Sequence, residues 1–480
     1  MSGVATLSDL AGLGTLHGSG DVALRRAQLD SRAVQPGDLF CAIPGFEVDG
    51  HDFAAGAVER GAAALLVERV LDLPVPQLVV ADARVATAPA AALLAGEPTR
   101  KLEVVGITGT NGKTTTAYLT RHLLQSAGKP AGLIGTVEQV VGGVRQEGGR
   151  TTPESPDLQD LFVRMVEAGD QACVMEVSSH AMSLHRADAI DWAAVAFTNL
   201  SRDHLDFHPT MEEYFEAKRL LIAEAPHRAV VDIDDEYGAR LAGDFPDALV
   251  VAIDTAVPDG SMRATELAAD AAGTDFTVDG IRTRVPLPGP FNVRNALVAL
   301  GLAVQLGIPL EDAAGWLREA PVAPGRMETV DEGQPFAVYV DYAHTPDALV
   351  RVLAAARALT DGRVLCVFGC GGDRDRGKRP EMGEAVGSGA DVVVVTSDNP
   401  RSEDPQAIID DVLEGIIRED VTAIVDRRSA IAFALGEAAP GDVVVIAGKG
   451  HEQGQTIAGA THPFDDAQVA RELLAGIVAK

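Results

Sequence analysis

Lys113 stands in "GITGTNGKTTT", residues 106 to 116, a stretch rich in the residue types that hold phosphate. Glycines let backbone N–H groups approach an anion, a lysine ammonium reaches its charge, and a threonine hydroxyl reaches a magnesium ion. The phosphate-loop template asks for Gly, four residues, then Gly-Lys-Ser/Thr. Gly112, Lys113 and Thr114 meet its end, whereas Ile107 stands at the leading position and glycines fall at 106 and 109. Other polar sequences carry groups able to do chemistry: "EVSSHA", "LSRDHLD", "YAHTPD", "CGGDRD", "SDNPR" and "KGHE". In "DNPR", Pro400 fixes a turn and Arg401 can present a planar fork to a carboxylate.

What must position these groups is a set of short β-branched runs. "LEVVGIT", "ACVMEV", "AVAFTN", "VYVD", "LCVFG", "VVVVT" and "VVVIAG" each precede one of the seven polar sequences. Such continuous apolar runs are expected of strands buried on both faces of a parallel sheet. Ligands of open α/β sheets bind outside the carboxyl ends of the strands, so seven polar strand ends predict one extensive site. After the phosphate loop, "TTTAYLTRHLLQSAG" predicts a helix, with Leu119 and Leu123 four apart and Gly128 as C-cap. Its N-terminus adds N–H donors and a favourable dipole for an anion.

Punctuation at "GEPTRKLEVV" and "REAPVAPGRME" divides the chain into domains at 1–100, 101–325 and 326–480. The expected architecture is a smaller N-terminal α/β domain, a central phosphate-loop ATPase-like domain with a mostly parallel sheet, and a C-terminal Rossmann-like domain. In the first, "AAGAVERGAAALLVE" reads as helix then strand.

The 480 residues carry a formal charge of -30, from 40 basic against 70 acidic residues. That argues against a nucleic acid or an anionic membrane as main partner, so any anion must be met by local basic groups or backbone N–H. No stretch approaches the ~20 apolar residues of a membrane span, and "MSGVATLSDLAG" lacks the pattern of a signal peptide, so a cytoplasmic location is expected. Cys41, Cys173, Cys366 and Cys370 are too few for a disulfide framework and are expected to be reduced, mostly packed side chains.

The departure at Ile107 is itself informative. "GTNGKTT", "EVSSHA", "TNLSRDHLDFH", "YFEAKRLL", "NVRNAL", "PGRME", "VDYAHTPDAL", "DNPR" and "GKGHE", in that order, resemble the Mur ligases and their folylpolyglutamate synthetase relatives over nearly the whole chain. The resemblance is to the branch that adds the third peptide residue to the bacterial cell-wall precursor. It implies ATP as co-substrate, magnesium, and transfer of the γ-phosphoryl group to a substrate carboxylate, whose acyl phosphate an amine then attacks. A monomer is expected, with UDP-MurNAc-dipeptide and meso-diaminopimelate as the other substrates.

Residue by residue, the resemblance assigns Gly109, Thr110, Asn111, Gly112, Lys113, Thr114 and Thr115 to the phosphates. It assigns Asn292 and Asn295 to the adenine side, Asp341 to the ribose and Arg326 to the phosphates. It makes Glu176, His204, Thr114 or Thr115, and Lys218 as a carbamate, the magnesium ligands. Leu29, Ser31, Phe46, Glu47, Val48, Thr151, Thr152, Ser178 and Arg186 are implied for the sugar peptide, although Leu184 and the pair Phe46-Glu47 depart from the family pattern. For diaminopimelate it implies Arg374, Asp398, Asn399, Pro400, Arg401, Gly448 and Glu452.

Each has a plainer reading when taken alone: Glu176 or Asn295 as helix caps, Asp341 as a turn acid, Arg326 as an exposed interdomain residue, Lys218 as a solvated helix lysine. Two rival functions stay open at this point, the same ligase using L-lysine or L-ornithine, and a non-catalytic nucleotide-binding regulatory protein.

Overall fold

The computed structural model describes residues 5–478; residues 1–4 and 479–480, at the outer ends of the first and third expected domains, lie outside it. The chain is α/β with mostly parallel sheets, as expected. It divides into two compact units. One comprises the chain up to Thr108 together with 128–195 and 220–225; the other comprises 109–127, 196–219 and everything from Pro226 onward.

In the first unit, β1 (Thr15–His17), β2 (Ala27–Gln28), β3 (Leu39–Cys41), β4 (Ala64–Val67) and β5 (Gln77–Val79) form a sheet in the order β1-β5-β4-β3-β2, parallel except for β1. Strand period sends alternate side chains to opposite faces. Leu39, Cys41, Leu66 and Leu78 pack with Ala83, Ala86, Ala90 and Ala91, while Phe40, Leu65 and Val67 pack with Ala54 and Ala57. The predicted helix and strand in "AAGAVERGAAALLVE" are α1 (Ala54–Glu59) and β4. The Ala-rich helix is α2 (Ala83–Leu94), its first turn capped by the Asp82 carboxylate.

Then come β6 (Glu103–Thr108), α3 (Lys113–Ser126), β7 (Ala131–Ile134), β8 (Glu138–Val141), β9 (Val144–Glu147), α4 (Ser155–Ala168), β10 (Ala172–Glu176), α5 (Ser179–Ser183) and β11 (Trp192–Phe197). The strand order is β11-β6-β10-β7-β8-β9, with β6, β10 and β7 parallel and β8–β9 an antiparallel hairpin. Gly106 in β6 makes room for the Trp192 ring, since a Cβ there would stand 2.6 Å from it.

The second unit continues with α6 (Met211–Glu224, whose last turn belongs to the first unit), β12 (Ala229–Asp232), α7 (Glu236–Asp244), β13 (Leu249–Ala252), β14 (Met262–Asp270), β15 (Gly273–Val278), β16 (Ile281–Val285), α8 (Pro290–Gln305) and α9 (Leu310–Leu317). The strands β12 to β16 follow one another in order, the last three as an antiparallel meander.

Its remaining sheet has the order β17-β18-β22-β19-β20-β21. These strands are β17 (Glu328–Thr329), β18 (Ala337–Asp341), β19 (Val364–Phe368), β20 (Val392–Thr396), β21 (Val421–Ile424) and β22 (Val443–Ala447), all parallel save β17. Helices α10 (Pro346–Ala358), α11 (Lys378–Gly389), α12 (Pro405–Leu413), α13 (Arg427–Glu437) and α14 (Asp466–Val478) accompany them, and β23 (Gly454–Ile457) with β24 (Ala460–Pro463) makes a separate hairpin. The seven apolar runs of the sequence are β6, β10, β11, β18, β19, β20 and β22.

One buried ion pair pins the strand ends of this sheet. Arg427 donates from Nε and Nη2 to both Asp466 oxygens at 2.8 and 2.7 Å, and from Nη2 to the Ala447 carbonyl at 2.9 Å. Both side chains are fully buried. Breaking such a pair strands a charge, so Asp466→Ala is expected to lose about 3–5 kcal/mol, whereas an apolar pair at both positions loses far less. Urea unfolding followed by circular dichroism measures the difference. The four cysteines are buried and free, as expected, and among the described residues no helix is long and apolar enough to cross a membrane.

Candidate active site

The phosphate loop leaves β6 and enters α3. Gly109 has φ +145° and Gly112 φ +87°, conformations that favour glycine. Side chains there would also collide, at 109 with the Thr198 hydroxyl and at 112 with the Asn295 amide oxygen. Ile107 is a fully buried strand residue opposite Glu176 in the register, which explains the missing template glycine. The first close approach falls two residues later, at Gly109.

A polar girdle holds the loop. Asn111 N–H donates to the Asn199 side-chain oxygen at 3.0 Å, while Thr198 and Asn199 side chains donate to the Asn111 carbonyl at 2.6 and 2.9 Å. The Thr110 hydroxyl lies 3.1 Å from that of Tyr214, and the Ser201 N–H donates to it at 3.0 Å. Lys113 folds back, its ammonium donating at 2.9 Å to the carbonyls of both Gly109 and Thr110. Arg326 donates to the Thr114 hydroxyl at 3.1 Å and lies over the Tyr342 ring. The Asn111 amide donates to Asp347, on α10, at 3.1 Å.

Lys218 is 1% exposed, so the reading of a solvated helix lysine fails. Its Nζ donates to the Gly109 carbonyl at 2.8 Å and sits 4.5 Å from the centre of the Tyr214 ring. Burial, and then the neighbouring charge of Lys113, hold its amine well below the ordinary lysine range. Nearby, burial opposes the charge of Asp203, yet His204, His344 and Lys378 together keep its carboxyl below the usual range. Burial and Lys378 bring His344 down to about 4, so its imidazole is neutral at pH 7. Arg202 pairs with Glu381 on α11.

Asn295 is inside α8 rather than at a cap, and its amide donates to the Asn292 oxygen at 3.2 Å. Asp341 ends β18 and accepts from the N–H groups of Met327 and Ala343 at 2.7 and 2.8 Å; burial nevertheless raises its carboxyl above the usual range.

The "DNPR" turn is laced to its neighbours. Arg401, at φ +53°, donates from Nη1 to the Gly372 carbonyl at 2.7 Å, and Asn399 donates to Glu452 at 2.6 Å. A Cβ on Gly448 would strike the Asp398 carboxylate at 2.5 Å, so glycine there is a packing requirement. Pro400 is buried and Arg374 is exposed. Burial, then Asp398, raise the Glu452 carboxyl.

In the first unit, Glu176 is 2% exposed and does not cap a helix; the Ser178 hydroxyl caps α5. The Glu176 carboxylate accepts from the Thr136 N–H and hydroxyl at 3.0 and 3.2 Å. The Thr152 hydroxyl donates to the Glu176 carbonyl at 2.9 Å and accepts from the Ser178 N–H at 3.0 Å, while that of Thr151 meets Thr136 at 2.9 Å. Arg186 pairs with Glu154 at 2.9 Å.

A cavity of about 650 Å³ is lined by Leu29 and Ser31 and by three arginines that the sequence motifs did not single out, Arg32, Arg84 and Arg150. Phe46, 81% exposed, Glu47 and Val48 stand outside its lining. Asn199, Ser201, Tyr214 and Asp347 were likewise missed. All four stand inside the motifs "TNLSRDHLDFH", "YFEAKRLL" and "VDYAHTPDAL", which was the signal that could have found them.

The comparisons with known proteins agree along the chain. Residues 26–104 match the Mur ligase family catalytic domain, 107–303 the Mur ligase middle domain, and 325–450 the Mur ligase glutamate ligase domain. A UDP-N-acetylmuramoyl-L-alanyl-D-glutamate--2,6-diaminopimelate ligase of Streptomyces coelicolor is 47% identical over 98% of this chain and 96% of its own. A solved structure of a ligase of that name is 32% identical, covers 99% of both chains and has a TM-score of 0.70. MurF ligase from Thermotoga maritima, solved in complex with ADP, shares the fold at 20% identity, with 95% of this chain and 98% of its own covered and a TM-score of 0.66.

Proposed function

The chain belongs to the Mur ligase family of ATP-dependent ligases, and on that premise we propose that it joins meso-2,6-diaminopimelate to UDP-N-acetylmuramoyl-L-alanyl-D-glutamate, in peptidoglycan precursor synthesis. The observation that carries the reading is 47% identity, over nearly the full length of both chains, to a ligase named for those substrates.

A carboxylate is a poor electrophile, so an oxygen of the substrate carboxylate attacks the γ-phosphorus and ADP leaves with the bond electrons. The amine nitrogen then attacks the acyl carbon and gives up a proton to solvent, the C–O bond to phosphate breaks, and phosphate leaves with the bond electrons as the amide forms. The N–H groups of Thr110 and Asn111 go to Asn199, so the N-terminus of α3 supplies the donors, and Lys113 meets the phosphate charge once it exchanges its two carbonyls for phosphate oxygens. The bond from Arg326 to Thr114 supports a role for it at the same phosphates, with Asn292 and Asn295 on the adenine side and Asp341 at the ribose.

Magnesium fits the donor types present. Among the described residues no group of three or more His, Cys, Asp or Glu forms a ready cage, and magnesium draws on one or two carboxylates, with phosphate and water completing its shell. Thr114, Thr115, His204 and Lys218, as a carbamate, would hold it, and Glu176 is assigned the same role by the family resemblance alone. Bound there, it would neutralise charge on the transferred phosphoryl group. Carbamylation needs a neutral amine, and burial, then Lys113, disfavour the charged form of the Lys218 Nζ.

The arginine-lined cavity suits the UDP end of the sugar peptide, with Thr151, Thr152, Ser178 and Arg186 for its peptide. Phe46, Glu47 and Val48 form an exposed segment, and their assignment to the same ligand rests on the family resemblance. Arg374, Arg401 and Glu452 suit the two carboxylates and an ammonium group of diaminopimelate, around Asp398, Asn399, Pro400 and Gly448.

Phosphate release is expected only when ATP, sugar peptide and meso-diaminopimelate are all present, read with a coupled phosphate assay. No release with all three present would favour the non-catalytic nucleotide-binding regulatory protein, and release that ignores the amine would overturn the ligase reading.

A further inference from the structure

Lys449, in "GKGHE", is 0% exposed, a costly place for an ammonium unless every proton is satisfied. Its Nζ donates to the Gly454 carbonyl at 2.6 Å and lies 3.3 Å from Glu452 Oε2 and 3.4 Å from Asn399 Oδ1. The same Asn399 oxygen accepts from the Thr456 N–H at 2.9 Å. Gln455, 8% exposed, donates to the Asp398 carbonyl at 2.8 Å.

The backbone joins in. The Arg401 N–H donates to the Thr456 carbonyl at 2.9 Å, and Arg401 bridges Ile457 in parallel register. The first strand of the hairpin, β23, thus meets "DNPR" through one backbone hydrogen bond and one bridge at Arg401, and holds the turn there. It steadies Arg401, a non-glycine residue in the left-handed region, where such residues are uncommon and need support from their surroundings.

We propose that Lys449, Gln455 and β23 form a clamp that sets amine specificity without touching the amine. Lys449 and Gln455 are positioning residues. Lys449 fixes Glu452 and Asn399 together, Gln455 fixes Asp398, and the β23 backbone fixes the direction of Arg401. The inference deepens the proposed function and rests on it. Groups that orient a binding side chain typically change affinity by one or two orders of magnitude when removed.

The test uses the full-length enzyme and the variants Lys449→Met and Gln455→Leu, with kcat and KM determined separately for ATP, sugar peptide, meso-diaminopimelate and L-lysine. Wild-type enzyme is assayed first; no turnover with meso-diaminopimelate overturns the proposed function and with it this inference. Given wild-type turnover, the expected result is a diaminopimelate KM raised about tenfold or more. The ATP KM should stay within about threefold, and the preference for diaminopimelate over lysine should fall about tenfold. Gln455→Leu reports on the clamp with no buried charge altered, so it serves if Lys449→Met does not fold. A KM for diaminopimelate unchanged in a folded variant, or a loss shared equally by all substrates with the preference intact, overturns the clamp while leaving the proposed function standing.

Discussion

Lys218→Ala is expected to lower phosphate release by about a thousandfold, with added acetate or formate restoring part of it. The variant loses the nitrogen that carries the proposed carbamate, and a small carboxylate can enter the space left and supply the missing oxygens. Full activity of the unrescued variant would refute the role. Stability moves the other way. Burial, then Lys113, hold the Lys218 amine well below the 10.5 of an exposed lysine. Between the depressed value and the ordinary one, the unfolded chain takes up a proton that the folded chain refuses, so stability falls as pH drops through that interval. In buffer free of carbon dioxide, Lys218→Met removes this cost. Its urea midpoint should exceed the wild-type value at pH 7, and the gap should close as pH rises toward 10.5.

Arg401→Lys is expected to reduce kcat/KM for meso-diaminopimelate while leaving the ATP KM unchanged. An ammonium cannot reproduce two parallel hydrogen bonds to a carboxylate, and the fork of Arg401 is already aimed by its bond to the Gly372 carbonyl. Leaving a buried charge partner unpaired costs about 2–5 kcal/mol, or roughly 30- to 5,000-fold in specificity. The same cost applies in the native enzyme to L-lysine and L-ornithine, which lack the distal carboxylate. Comparable kcat/KM values for the three amines would sink the assignment of diaminopimelate.

The strands were legible because a run buried on both faces must be apolar throughout, and all seven runs are strands of mostly parallel sheets. Their polar ends were legible for the complementary reason, that the chain leaves the core there. Burial of a polar side chain was not. Lys218, taken alone, read as a solvated lysine and Lys449 drew no reading, because what covers them comes from far along the chain, Gly109 in one case and Asn399 in the other. The cavity arginines were hidden too, since Arg32, Arg84 and Arg150 converge only through tertiary packing. Ile107 shows the opposite case: a mismatch to a general template becomes intelligible once Gly109 and Gly112 are seen to meet Thr198 and Asn295.

Among the links from the loop region to α10 and α11, two differ in kind. Arg202 and Glu381 are each 41% exposed at the side chain, whereas the amide of Asn111 meets Asp347 with both partners part-buried. Mobile counterions at ~0.15 M shield surface charges over about 8 Å and weaken the first link far more than the second. Ionic strength therefore weakens the Arg202–Glu381 tether first, while the sheltered Asn111–Asp347 contact and the nearly buried Lys378–Asp203 pair keep their grip, so the saltiness of the surrounding solution sets how many tethers share the load.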